Sequence, residues 1–386
     1  MYAESASKRR VKNALALRVP DKIPFGEFAI DCDTVERIVG HETYYRAKAK
    51  SQIALWEGRR DEVAQSWIED GIELYRRLDV LDIVTFPACA GILPPKDYEP
   101  NPPKRIDDGV WEDREGRVYK YSEITKDITC VYDPVAEAYV LRLEDFTGEV
   151  SVQAPNNSVF EAVDAIISAV GADKYVAGPS GGEVGIIYLG GQEKGMIAMV
   201  EHPEIVRAAA DHALICQNIL DQWYIRPGQD GVLWGFDFAY KSGPFISPSM
   251  FRELFFEVNQ ARVRHIHESY HIPILKHACG NNWTYMDMFV EMGYDCYQSI
   301  QSSAGMDLRE LKHKYGSRIC LWGGVSVESL VSGTPEDVRQ EVRNAIKAAK
   351  EDGGYIFGST HSTAVGTKYD NFMAMVDEFV RLRDYR

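Results

Sequence analysis

From about residue 155 onward the chain alternates short apolar runs with longer amphipathic stretches. The apolar runs Lys174–Ala177, Val232–Phe236, Ile272–Leu275, Asp295–Ile300, Arg318–Trp322 and Tyr355–Gly358 read as strands, as does Leu81–Phe86, which ends at Pro87. Between them helices announce their starts. Ser247-Pro248 offers a cap and a proline for the first turn, after which Phe251, Leu254, Phe255 and Val258 share one face. Thr334-Pro335-Glu336-Asp337 repeats the device ahead of Val338, Val342 and Ile346. Strands apolar on both faces, separated by helices, predict an α/β chain with a buried parallel sheet. The number of units suits a (β/α)8 TIM barrel, although an open doubly wound sheet fits the pattern alone. Residues 1–386 read as one domain, with 1–80 an N-terminal helical extension. An insertion, 95–150, opens on clustered prolines and contains a small β-hairpin, Trp111–Tyr119, turning near Gly116.

In a barrel, the residues that follow the strands gather at one mouth. Those residues are polar here: Glu183, Asp237, His277 with Cys279, Gln298 and His361. His277 and Cys279 stand two apart in Lys276-His-Ala-Cys-Gly280, a spacing that puts both on one side of an extended strand. Taken alone, such a pair serves a structural role as readily as a metal. Zinc requires a further ligand, and His361, at the same end of a later strand, is the candidate. Asp237 either pairs with Lys241 or meets a ligand. Asp237 and Glu183 are candidates for acid–base work, and Tyr240, Phe86 and Gln298 for substrate contacts.

Composition narrows the classes. The formal net charge of −15 over 386 residues argues against a nucleic-acid surface. No apolar run approaches the roughly 20 residues of a membrane span. The basic N-terminal residues lack the apolar core of a secretory signal. Seven scattered cysteines suggest reduced thiols and a cytoplasmic protein. Cys32, Cys130, Cys216, Cys296 and Cys320 read as packing residues, and Cys89 as a small buried hydrophobe. The glycines of Gly178–Gly185 lack the ending of a nucleotide loop, and no Gly-x-Ser-x-Gly elbow is present.

Several segments carry a family resemblance: Ile274-Leu-Lys-His-Ala-Cys-Gly280, Phe289-Val-Glu-Met-Gly-Tyr-Asp295, Leu321-Trp-Gly-Gly-Val325, Gly333-Thr-Pro-Glu-Asp-Val338 and Gly353-Gly-Tyr-Ile-Phe357. With Arg10-Val-Lys-Asn-Ala-Leu-Ala and Pro20-Asp-Lys-Ile-Pro24, they resemble the uroporphyrinogen decarboxylase superfamily over nearly the whole chain. That resemblance implies a (β/α)8 barrel. Where the decarboxylase has an arginine-containing signature, this chain has Phe25-Gly-Glu-Phe-Ala-Ile-Asp31, acids where a polycarboxylate wants cations. Asp82 lies near the position of the decarboxylase's aspartate. The corrinoid-dependent methyltransferase branch is more similar, through the Trp111–Lys120 excursion, Gly243-Pro-Phe-Ile-Ser-Pro248 and the His-x-Cys-Gly turn. This branch implies zinc and a partner corrinoid (cobalamin) protein that carries cobalt, with a small-molecule methyl donor. A homodimer is compatible with it. Thiol-methylating members hold zinc with His-x-Cys and a later Cys, where this chain has His361. The substitution points to O-demethylation of a methoxylated aromatic, with zinc polarising the ether oxygen. The alternatives are a corrinoid-to-thiol methyltransferase, a uroporphyrinogen decarboxylase, or a silent barrel that scaffolds a corrinoid protein.

Overall fold

The structure, a computed structural model, describes residues 4–385. The apolar runs become seven parallel strands: β1 (Ile83–Thr85), β2 (Tyr175–Gly178), β3 (Gly231–Trp234), β4 (Ile274–His277), β5 (Cys296–Gln298), β6 (Cys320–Val325) and β7 (Tyr355–Ser359). They are neighbours in chain order, and every pairing is parallel. The sheet curls. Alternate residues Ile83, Tyr175, Ala177, Leu275, Cys296, Cys320, Trp322 and Ile356 form one buried cluster on its inner face. Their neighbours, among them Val84, Val232, Ile274, Tyr297, Leu321 and Phe357, pack outward in the larger cluster shared with the helices.

The two edge strands are not left bare. The Phe357 N–H donates to Pro24 O at 2.9 Å, the Gly26 N–H to Phe357 O at 3.0 Å, and the Asp82 N–H to Phe25 O at 2.7 Å. Pro24–Gly26 therefore lies between β7 and the start of β1. Only glycine fits at position 26, because a Cβ there would come within 2.9 Å of both Ile83 and Trp322 side chains. Glu27 points outward and fastens this segment: its Oε1 accepts the Ser359 N–H at 3.0 Å, and Oε2 meets the Ser359 and Thr363 hydroxyls. Burial pushes the Glu27 carboxyl up to about 8, so it stays protonated at neutral pH. The unfolded chain releases that proton near 4.5, so the native state binds the extra proton between the two values. Stability is then greatest below about pH 4.5 as far as this group is concerned, and falls as pH rises through about 8. Glu27→Gln, which keeps a neutral donor and acceptor, should flatten that fall, worth on the order of 4 kcal/mol. Urea melts of both proteins at pH 6 and 9 check this, across a span in which about 3 kcal/mol of the fall remains.

Helix Ala6–Leu15 closes the end from which the strands start. Val11 and Ala14 join the inner cluster. Ser7 donates to Asp82 at 2.6 Å, Arg10 lies 3.2 Å from the same carboxylate, and Lys8 pairs with Asp230 at 2.6 Å. The rest of the extension supplies helices Cys32–Val39, Lys48–Trp56 and Arg60–Arg77. The expected helix starts are present: Ser247 accepts from the Met250 N–H, and Thr334 forms a capping box with Asp337.

The insertion is larger than the hairpin expected. Lys104–Asp107, Val110–Glu112, Val118–Ser122 and Asp127–Tyr132 make a four-stranded antiparallel sheet. It leans on helix Lys48–Trp56, where Trp56 meets Trp111 at 5.7 Å and Tyr119 at 5.6 Å between ring centroids. Cys130, expected in packing, is exposed, since the outermost strand of that sheet is covered on neither face from Thr129 to Tyr132. Among the described residues no helix is long and apolar enough to cross a membrane.

Candidate metal centre

His277 is the last residue of β4 and faces inward, two positions beyond Leu275 of the inner cluster. The chain then turns sharply. Gly280 has φ +86, and a side chain there would strike Ala239 O at 2.3 Å. The turn is pinned by side chains: Asp237 Oδ1 accepts the Cys279 N–H at 2.8 Å, Gln301 Oε1 accepts the Gly280 N–H at 2.9 Å, and Asn282 donates to Cys279 O at 2.9 Å. Cys279 thus shares a side with His277 because of the turn. The strand pleat expected to do this ends at His277. His361 follows β7 by two residues, and the Ser299 hydroxyl donates to Thr360 O at 2.7 Å, tying the end of β5 to this loop. The result gathers the ligand atoms of His277, Cys279 and His361 within 4.8 Å of one another.

Burial at this centre disfavours a charged imidazole. The His277 ring is buried and stacked on Phe28, with centroids 3.9 Å apart and planes at 13°. His361 stands nearly perpendicular at 5.5 Å. Nδ1 of His277 meets Gln298 Oε1, an acceptor, so Nδ1 carries the hydrogen and Nε2 keeps its lone pair. Nε2 lies 3.9 Å from Asp237 Oδ1. Burial pulls the His277 pKa down to about 4 against the attraction of Asp237, and it lowers His361 as well. Burial raises the Cys279 thiol to about 12, and the Asp237 carboxylate adds to the rise. The metal-free centre at neutral pH therefore holds two neutral imidazoles and one protonated thiol. Binding a divalent ion should release one proton, from Cys279, and tighten about tenfold per pH unit from pH 7 upward. Calorimetry of zinc binding in buffers of differing ionisation enthalpy measures that proton.

The other candidates fall in different places. Asp237 is at the centre, partly exposed. Glu183 is not: its side chain is buried against Lys276 at 2.8 Å, with Tyr294 donating to it at 2.6 Å. Gln298 is wholly buried, and its carbonyl meets His277, which orients the ring. Phe86 packs against Val163, Ile167 and Val176 on the outer, helical side of the sheet, away from the mouth. Tyr240 is half-exposed on the two-residue strand after Asp237, its ring edge-on to Phe245 at 4.4 Å and its hydroxyl accepting from Gln192 at 2.7 Å. Lys241 pairs with Glu328, not Asp237. Two features had no local signal. Phe28 sits in a segment without strand alternation. Asp31 is neutralised by Arg46 at 2.6 Å and approached by Lys48 at 3.5 Å, so the acids of 25–31 do not confront the mouth with bare charge.

The sequence signature described as uroporphyrinogen decarboxylase (URO-D) matches residues 127–382, about two-thirds of the chain. The chain belongs to the URO-D family. A methyltransferase from Methanosarcina mazei has a similar fold, with a TM-score of 0.68 at 18% identity over 98% of this chain and 99% of the other. No curated protein matches the sequence. As a URO-D family chain it departs from the decarboxylase expectation at Asp82. That carboxylate is sealed at the closed end by Ser7, Arg10 and the Phe25 N–H, at the opposite end from His277. The donors His277, Cys279 and His361 fit zinc: one sulfur and two imidazole nitrogens, an oriented ring, and a fourth side left to Asp237 or a reactant.

Proposed function

We propose that this URO-D family chain is a zinc-dependent methyltransferase. It takes a methyl group from a small donor, most simply a methoxylated aromatic, and passes it to the corrinoid of a partner protein. The observation that carries this reading is the convergence of His277, Cys279 and His361 within 4.8 Å at the strand ends. On this reading Pro24–Gly26 takes the eighth position of a closed (β/α)8 barrel, and the mouth beyond His277 receives both donor and partner. A zinc ion held by the three residues would supply Lewis acidity to the ether oxygen of the donor. The chain's own residues do the rest. Gln298 keeps the His277 lone pair directed inward, and Phe28 and His277 present stacked ring faces that exclude water. Asp237, held by the Cys279 N–H, is placed to hold or deliver a proton near the ligand cluster. Tyr240, on the rim, is the candidate to hydrogen-bond a ring substituent.

The third ligand favours ether over thiol chemistry. A single thiolate leaves the ion more electrophilic than two would, which suits polarising an oxygen. A corrinoid-to-thiol methyltransferase is the second reading. Purified protein assayed with aryl methyl ethers and reduced cobalamin, and separately with methylcobalamin and a small thiol, decides between them. Turnover only in the thiol assay would reverse the order. Metal analysis showing less than one zinc per chain in active protein would remove zinc from the account.

A further inference from the structure

Directly behind the ligand turn, on the outer side of the sheet, lies an ion pair closed to solvent. Lys276 precedes His277 in β4 and so points the other way. Its side chain is 0% exposed and that of Glu183 is 3% exposed. The Lys276 ammonium lies 2.8 Å from Glu183 Oε2, over the Phe238 ring at 4.6 Å, and donates to Phe236 O. The same Glu183 oxygen accepts the Phe236 N–H at 3.3 Å. One ion pair therefore holds both polar groups of Phe236. The next residue is Asp237, whose carboxylate pins the Cys279 N–H at 2.8 Å and faces His277 Nε2 at 3.9 Å.

A buried ion pair is a poor source of stability, since desolvating two charges offsets their attraction and apolar partners often do as well. It does impose a single arrangement, because each charge must find its partners. The stretch it holds, between the end of β3 at Trp234 and the short strand at Ala239, has no strand pairing of its own. The Phe236 ring also packs edge-on against Phe238 at 5.3 Å, but that contact lacks the direction of the two hydrogen bonds the pair makes to the Phe236 backbone.

We propose that Lys276 and Glu183 are positioning residues for the metal centre. From outside the sheet they lock the Phe236–Asp237 segment so that the Asp237 carboxylate holds the Cys279 turn in its ligating form. The inference rests on His277, Cys279 and His361 being ligands, and it gives Glu183 a role through Asp237 in place of contact with a reactant.

The test uses the full-length protein and Co(II) as a visible stand-in for zinc. The double variant Lys276→Met/Glu183→Gln removes both charges together, so neither is stranded. It should unfold cooperatively and bind one Co(II) at least tenfold more weakly, with shifted and weakened ligand-field bands. Unchanged affinity and bands in the folded double variant overturn the proposal. If that variant does not fold, Tyr294→Phe provides the milder case: it frees Glu183 Oε1 and keeps the charges. Affinity should fall about threefold, and an unaltered affinity overturns the proposal equally. A buried arginine with no contact to this segment supplies the control: Arg60 pairs with Glu161 and donates to Pro94 O and Ser158 O, so Arg60→Met should lose stability while its Co(II) spectrum stays that of the wild type. Failure of the underlying reading looks different. Wild-type protein that binds no Co(II), or keeps its sulfur-to-cobalt band after Cys279→Ser, removes the ligand assignment and this inference with it.

Discussion

Replacing His277 by alanine is expected to take bound zinc from about one per chain to below a tenth, and methyl transfer down by about a thousandfold or more. Two donors, Cys279 and His361, would remain, too few to hold the ion against water. The fold should survive. The substitution strands the buried Gln298 carbonyl and unstacks Phe28, a cost of about 1–3 kcal/mol. Metal content by emission spectroscopy, beside a thermal melt, separates loss of zinc from loss of structure. Retained zinc with full activity would end the metal reading. His361→Cys is the informative companion. It restores a second sulfur, so the variant should keep its metal while its ether activity falls relative to any thiol methylation.

The largest effect on stability is expected outside the candidate metal centre. Arg262 and Asp221 are both fully buried and joined by two hydrogen bonds, at 2.5 and 2.7 Å. Arg262 also donates to Gly182 O at 2.9 Å and lies over the Trp234 ring at 5.2 Å. Arg262→Met keeps much of the volume but leaves Asp221 buried with the Gly181 N–H at 2.8 Å and His265 at 3.3 Å. Breaking such a pair from one side costs about 3–5 kcal/mol. The midpoint of guanidinium unfolding should fall accordingly, and Arg262→Met/Asp221→Leu should recover most of the loss. A single variant within 1 kcal/mol of wild type would show that water or His265 rescues the carboxylate.

The order and type of the strands were legible because a buried parallel strand needs little beyond a short apolar run. Boundaries were less so. The run ending at Leu275 continues as strand to His277, since a buried strand tolerates Lys276 only when a carboxylate waits behind it, and Glu183 lies 93 residues away in sequence. The convergence of the three candidate metal residues was legible for a mixed reason. His277 and His361 follow from strand ends, whereas Cys279 reaches the centre through a turn whose pins, Asp237 and Gln301, belong to other loops. The substrate-side assignments depended on side-chain direction, which local sequence does not set. Phe86 turned to the helices, Glu183 was claimed by a buried lysine, and Gln298 by an imidazole. Each destination depends on partners distant in the chain. Phe28 went unseen because the segment joining the sheet edges is too short and too mixed to show alternation.

Helix Ala6–Leu15 lays a floor under the sheet at the end where the strands start. On the proposed reading, a compound that gives up a group at His277 and the protein that collects it therefore both approach from the other end. With no described side chain placed to store the group between visits, the two must occupy the site together, and initial rates with both varied should give intersecting, not parallel, reciprocal plots.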